Sequence, residues 1–341
     1  MPFNTMLQAS VLPRQIQLYS YMNGFLQQNT TYELYQVLLP LITLAHVPQA
    51  RSAAVVGQGS GQSSHLLLGS SRLERLVTID IEPEMIAGSR VFFPANRRVF
   101  EDPRSVFAID DARSYFAAQQ QQYDLILSEP SNPWVSGVSG LFTAEFYARL
   151  VPLLTPQGIF GQWVQLYELS DDLVLSIVAA LHQHFASYQL FLLGPWDILI
   201  VASTRPHVPE PEWAMFAWPA IADSLQPFIP LQADDLEAMR LLDRAALAPL
   251  LDTWPQRNSD FFPQLDLQAG QARFLGTSAR GVVGLHTDRF SSPYPLLGWR
   301  TPFTRTRTAP VLSHPRLSVR ALSASLQAWR EHGILLPPPE D

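Results

Sequence analysis

The 341-residue chain is 47% apolar and 16% charged, the balance of a folded, core-forming protein rather than a disordered one. Its net charge of −7 leaves no basic surplus to neutralise phosphates, which argues against a nucleic-acid partner. All 23 basic residues are arginine and there is no cysteine, so lysine Schiff bases, Walker lysines, disulfides, thiol nucleophiles and cysteine-ligated metals are excluded.

Residues 1–50 read as a small β-hairpin cap. An extended stretch at Gln15–Tyr21 meets the Asn23-Gly24 turn signal, and a helical stretch follows at Tyr32–Leu44. The apolar run Val37–Ala45 is too short to span a bilayer and contains Pro40, so it reads as a buried segment. The N-terminus lacks the layout of a signal peptide, and a cytoplasmic protein with no membrane span is expected.

Residues 51–204 alternate strand and helix. Strands are expected at Ala53–Gly57, Leu76–Asp80, Ser105–Ile109, Tyr123–Ser128 and Gly158–Gln165. Helices are expected at Gln62–Ser70, Pro83–Val91, Ala112–Gln119, Thr143–Leu154 and Asp171–Phe185, the last opened by Ser170 as N-cap. An antiparallel pair, Tyr188–Leu193 and Asp197–Ala202, closes the series around Gly194-Pro195. The pattern predicts an α/β fold, a doubly wound Rossmann-like sheet of class I methyltransferase type.

Residues 205–341 form a mostly helical and irregular C-terminal extension. Asp234–Leu251 reads as one helix, Arg257–Gly298 as irregular, Ser318–Glu331 as a last helix, and Pro337–Pro339 as a disordered tail. The histidines are scattered; His182 and His184 sit two apart, on different helix faces, so no metal site is expected.

The first strand runs into Gly57-Gln58-Gly59-Ser60-Gly61, glycines that let the backbone turn sharply and approach a ligand. The third glycine of a dinucleotide fingerprint would fall at Gln62, so the spacing favours a site for S-adenosylmethionine or a relative. Asp80, at the end of the second strand, can accept bonds from ribose hydroxyls, and Asp111, past the third strand, from an adenine amino group. Both aspartates also suit helix N-caps. At the fourth strand's exit, Glu129 is placed to accept a proton from an attacking amine, and Trp134 to offer a cation–π face; their structural alternatives are a turn-former and a core anchor.

Together the stretches Val55–Gly61, Val77–Pro83, Asp110–Arg113, Tyr123–Phe142 and Gly158–Leu169 resemble the spermidine synthase (polyamine aminopropyltransferase) family. The texts Ser128–Trp134 and Gln162–Leu169 are similar to the branch often fused to membrane segments, and Asn258-Ser259-Asp260 faintly resembles a downstream family element. The resemblance implies transfer of an aminopropyl group from decarboxylated S-adenosylmethionine to a polyamine such as putrescine, without a metal, in an enzyme whose relatives commonly form homodimers. By position, it implies that Gln27, Gly57, Gly59, Ser60, Gly61, Asp80, Asp111 and Ala112 bind the nucleoside. It makes Glu129 the catalytic base, and puts Tyr35, Gln36, Asn132, Trp134, Gln162 and Tyr167 on the amine side.

The departures are on that amine side. Ser60 and Asn132 stand where the family has aspartates, and the segment after Tyr35-Gln36 lacks the usual Glu and His. An altered acceptor pocket is therefore expected. A methyltransferase using intact S-adenosylmethionine, and a non-catalytic nucleoside-binding protein on the same scaffold, are the alternatives.

Overall fold

The computed structural model describes residues 30–193, 197–225, 233–254, 256–279 and 281–282. The expected hairpin, Gln27, the helix at 318–331 and the tail lie outside the described residues. So does the side chain of Tyr35, although its backbone belongs to helix α1 (Thr30–Ala45).

Helix α1 precedes strand β1 (Ser52–Val56), α2 (Gln62–Leu67), β2 (Arg75–Asp80), α3 (Pro83–Ser89), α4 (Arg97–Glu101) and β3 (Ser105–Ile109). The chain continues through α5 (Ala112–Ala118), β4 (Tyr123–Ser128), α6 (Ala144–Leu150), β5 (Leu154–Gln165) and α7 (Asp171–His182). Strands β6 (Ser187–Leu192) and β7 (Asp197–Ser203) follow, and then α8 (Pro219–Leu225), α9 (Ala233–Ala238), β8 (Arg240–Asp243), α10 (Arg244–Leu251) and α11 (Gln264–Phe274).

Among the described residues the strands form one sheet in the order β3-β2-β1-β4-β5-β7-β6-β8. The first five are parallel to their neighbours, and β7, β6 and β8 complete the sheet with antiparallel pairings. This is the doubly wound class I methyltransferase-like arrangement expected from the alternation. The parallel strands are apolar on both faces because helices cover both: Ala54, Leu125, Ile126 and Leu127 are wholly buried. One face packs against α5, α6, α7, α10 and α11, the other against α1, α2 and α8.

Val37–Ala45 lies buried on the sheet, as the Pro40-bearing run suggested. The close approach is possible because Gly161 in β5 has no side chain; a Cβ there would stand 2.6 Å from Thr43 Oγ1. Pro40 also lacks the N–H that would bond the Gln36 carbonyl, and the Ser63 hydroxyl lies 3.5 Å from that oxygen. Helix α1 is thereby tied to the start of α2.

Two expectations are corrected. The single helix at Asp234–Leu251 is broken into α9, β8 and α10. Strand β8 pairs with β6, giving its outer N–H and C=O groups partners that a continuous helix would leave unmet, and Asp243 then caps α10 by accepting from Ala246 N at 2.9 Å. Within the stretch read as irregular, α11 forms instead. It buries Leu265, Ala269 and Ala272, a stripe too small in side-chain volume to stand out as amphipathic.

Candidate adenosyl and acceptor site

The sheet order reverses between β1 and β4, so the crevice at their carboxyl ends is the place where such a fold receives a ligand. Gly57 ends β1 there and Glu129 ends β4. The ladder extends past both strands, Glu129 N donating to Val56 O and Gly57 N to Ile79 O, each at 2.9 Å. Gly57, at φ +95°, lies so close to the β4 exit that a Cβ would stand 2.4 Å from the Glu129 carbonyl oxygen. The glycine at this position sets the distance between the ligand loop and the loop carrying the candidate base.

Asp80 supports the same loop. One carboxylate oxygen accepts from Gln58 N at 2.8 Å and the other from Glu82 N at 2.9 Å. Burial raises its pKa, opposed by those two amides. Each oxygen keeps acceptor capacity, so the carboxylate is held in one orientation with lone pairs for ribose hydroxyls. It is not an N-cap; Glu82 occupies that position of α3. Asp111 is the cap of α5, its side chain accepting from Ser114 N at 2.9 Å, and Ala112 beside it is buried.

Sequence reasoning missed the supports behind the loop. Asn96, fully buried, donates to Ser60 O at 2.8 Å and Ser89 O at 2.7 Å, and Gln58 donates to Ser89 Oγ at 2.9 Å. These partners come from segments up to 36 residues away, and no local pattern reveals them. It also missed Ile81 and Ile109, which are 70% and 52% exposed beside Asp80 and Asp110. Large apolar side chains left open at strand ends are surfaces for the flat faces of a base. That signal is readable: Ile81 follows Asp80 past the end of β2, and Ile109 is the exposed last residue of β3.

Glu129 is half-buried, and burial pushes its carboxyl up to about 7, with the Ser63 hydroxyl pulling in the other direction. Ser60 Oγ donates to Gln36 Oε1 at 3.1 Å, so two predicted residues from separate elements meet. Asn132 Nδ2 donates to Tyr167 Oη at 3.1 Å and to Gln165 Oε1, a buried neighbour that was not predicted. Trp134 stands edge-on to Tyr167 at 6.5 Å between ring centroids, and its face is already covered by the Arg273 guanidinium at 5.0 Å. Gln162 is fully buried, with Nε2 donating to Ser128 O at 3.3 Å and Trp163 O at 3.0 Å. It forms part of the floor beneath the β4 exit rather than an exposed wall.

The segment resembling a downstream family element clasps the loop that follows Glu129. Asn258, fully buried, donates to Ser139 O at 3.2 Å and Phe142 O at 3.0 Å, and its Oδ1 accepts from Leu265 N at 3.1 Å. Arg113 forms a two-pronged pair with Asp260. Among the described residues no cluster of three or more His, Asp or Glu is placed to hold a metal, and no helix is long and apolar enough to cross a membrane.

Residues 33–194 match the family model described as the spermine/spermidine synthase domain. Over that stretch the chain is similar to the spermidine synthase family. It is 26% identical over 197 residues to polyamine aminopropyltransferase 1 of Aquifex aeolicus, covering 56% of this chain and 70% of that one. It is 31% identical over 205 residues to the polyamine aminopropyltransferase of Synechococcus sp. (56% and 65%), and 28% over 167 residues to that of Nitrosomonas europaea (49% and 50%). The chain thus spans between half and 70% of the length of these relatives. Among solved structures, spermidine synthase from Thermotoga maritima aligns at TM-score 0.45 and 19% identity, over 55% of this chain and 65% of that one. Human methyltransferase-like protein 13 in complex with SAH aligns at 0.42 and 17%, over 60% and 95%.

Proposed function

We propose that the chain is a spermidine synthase family member and transfers an aminopropyl group from decarboxylated S-adenosylmethionine to an amine acceptor. The observation that carries the reading is the junction of Gly57 and Glu129. The Glu129 backbone meets Gly57 where the glycine loop and the β4 exit touch. Its carboxyl, pushed by burial up to about 7, is paired with the Ser63 hydroxyl at the start of α2, and Asp80 is bonded to the same loop through Gln58 N. In this reading Gly57–Gly61, Asp80, Asp111 and Ala112 hold the nucleoside, with Ile81 and Ile109 against the adenine.

The step is an in-line displacement. The acceptor nitrogen's lone pair forms a bond to the carbon beside the sulfonium, the carbon–sulfur bond breaks, and its electron pair neutralises sulfur to a thioether. The nitrogen sheds a proton, which Glu129 accepts. A base titrating near 7 is matched to that task at neutral pH. The protein's further contribution is to hold both reactants in line.

A second reading has one observation in its favour. Ser60, bonded to Gln36, puts a neutral hydroxyl on the loop where a carboxylate would repel the methionine carboxylate of intact S-adenosylmethionine. Calorimetric titration with S-adenosylmethionine, its decarboxylated form and methylthioadenosine separates the readings. Preference for the decarboxylated form is expected, with turnover lost in Glu129→Gln. Preference for the intact cofactor selects methyl transfer, and no binding of any nucleoside refutes both.

A further inference from the structure

One charged group on the acceptor side has no part in the reading above. Arg273, in the last turn of α11, lays its guanidinium over Trp134, and its Nε lies 3.7 Å from Glu168 Oε2, beyond hydrogen-bonding distance. Trp134 meets Tyr167, and Tyr167 meets Asn132, which joins Gln165. Side chains from the β4 exit, the β5 exit and α11 therefore converge.

Glu168 carries a second sign of construction. Its φ is +55°, a left-handed conformation that is strained for a non-glycine residue. Strain of this kind persists where the surroundings hold it, and it concentrates at ligand-binding positions.

The charges around this cluster are unlike those a dication needs. Asn132, Gln165 and Tyr167 are neutral and bonded to one another, and Ser60 and Gln36 are neutral and paired. Asp171 is engaged by the amides of Gly281 and Val282. Asp266, two turns before Arg273 on α11, accepts from Ser139 Oγ at 3.2 Å, and Glu168 is in a loose 3.7 Å ion pair with Arg273. The aromatic face that would receive an ammonium holds the chain's own guanidinium instead, 44% exposed along its side chain. Trp134 follows Glu129 by five residues at the β4 exit, so in the reading above this cation is the charge that the far end of an acceptor held at Glu129 would meet.

We propose that Arg273 sets the acceptor class, and that the acceptor is an amine bearing a carboxylate or equivalent anion. The nitrogen goes to Glu129 and the anion to the guanidinium, whose planar fork suits a carboxylate. The proposal rests on the reading that the transfer site lies at Glu129.

The test uses two probes of equal chain length, 1,4-diaminobutane and 4-aminobutyrate, which differ by one ammonium exchanged for a carboxylate. Each is titrated by calorimetry into the full chain saturated with methylthioadenosine. The wild type should bind 4-aminobutyrate about tenfold more tightly than the diamine, the order expected for one charge-assisted contact at a partly exposed site. Arg273→Gln should erase that preference, and Arg273→Glu should invert it. Unchanged methylthioadenosine affinity and melting temperature in both variants show that they are folded.

Tighter binding of the diamine by the wild type overturns the proposal. So does indifference of both probes to the two substitutions, or failure of 4-aminobutyrate to bind the nucleoside-loaded chain. Failure of methylthioadenosine itself to bind the wild type is a different result: it removes the transfer reading, and the acceptor proposal with it.

Discussion

Replacing Gly57 by alanine tests whether the glycine loop and the β4 exit form one unit. The added Cβ would stand 2.4 Å from the Glu129 carbonyl oxygen and 3.2 Å from its carbon, against backbone that cannot swing away as a flexible side chain does. Overpacking of this kind costs about 1–3 kcal/mol. The residue must also hold φ +95°, which adds about 1–2 kcal/mol for an L side chain. The sum, about 2–5 kcal/mol, lowers the melting temperature by roughly 3–7 °C in a chain of this size. Gly59→Ala supplies the control. Its φ of +49° carries the conformational cost, but nothing lies within 4 Å of the new methyl, which projects into the space assigned to the nucleoside. It should lose only about 1–2 kcal/mol of stability while weakening methylthioadenosine clearly. Differential scanning calorimetry and nucleoside titration on both variants decide the matter. If Gly57→Ala is no less stable than Gly59→Ala, the two exits are not coupled as described.

Asp80→Ala should weaken methylthioadenosine by about 1–3 kcal/mol in a calorimetric titration, with the fold retained by circular dichroism. Glu129 must be ionised to accept a proton, so turnover with decarboxylated S-adenosylmethionine should rise through a pH midpoint of about 7, and a flat profile would refute its role. A raised carboxyl pKa means the folded state keeps a proton that the unfolded chain has lost, so the Glu129 contribution to stability falls as pH climbs from about 4.5 to 7, against the opposite contribution of His46 and His65, which burial holds down to about 4. Glu129→Gln should remove that contribution, seen as the difference between wild-type and variant melts across the range; Asp171 and Asp197, both pushed by burial to about 6, contribute in the same direction in both proteins and cancel from the difference. Asn258→Ala strips three buried backbone groups of their partner and should cost about 2–4 kcal/mol in urea unfolding. Arg113→Ala, which breaks a half-exposed ion pair, should cost about 1 kcal/mol or less by the same measurement.

What could be read from the residues was what local chemistry decides. Ser105–Ile109 and Tyr123–Ser128 form strands with the expected bounds, because a short apolar run between turn residues has few other uses in an alternating chain. Ser170 and Asp111 cap helices for the same local reason. The division of 234–251 escaped because β8 exists for its partner: without the outer edge of β6 there is no reason for Arg240–Asp243 to leave a helical register. The glycine loop was legible, but Asn96, Gln58 and Ser89 behind it were not, since a buried amide looks in sequence like any other polar residue. Arg273 was invisible for both reasons. It sits in a helix held by small side chains, and its partner ring lies in a loop 139 positions earlier.

The two halves of the proposed site follow different electrostatic rules. On the nucleoside side, Asp80 has both oxygens fixed by backbone amides and Asp111 is fixed by the helix it caps, so their positions depend on chain geometry rather than on neighbouring charges. Substitutions in surrounding side chains leave such a half largely unchanged. On the acceptor side, orientation comes from side chains bonded to side chains, Asn132 with Gln165 and Tyr167, and Ser60 with Gln36. Each of these contacts can be rewritten by one or two substitutions without moving the backbone. A scaffold built this way can keep one donor half while its acceptor half is rewritten, and in the proposal above the Arg273 guanidinium over Trp134 is the change that selects the charge of the acceptor.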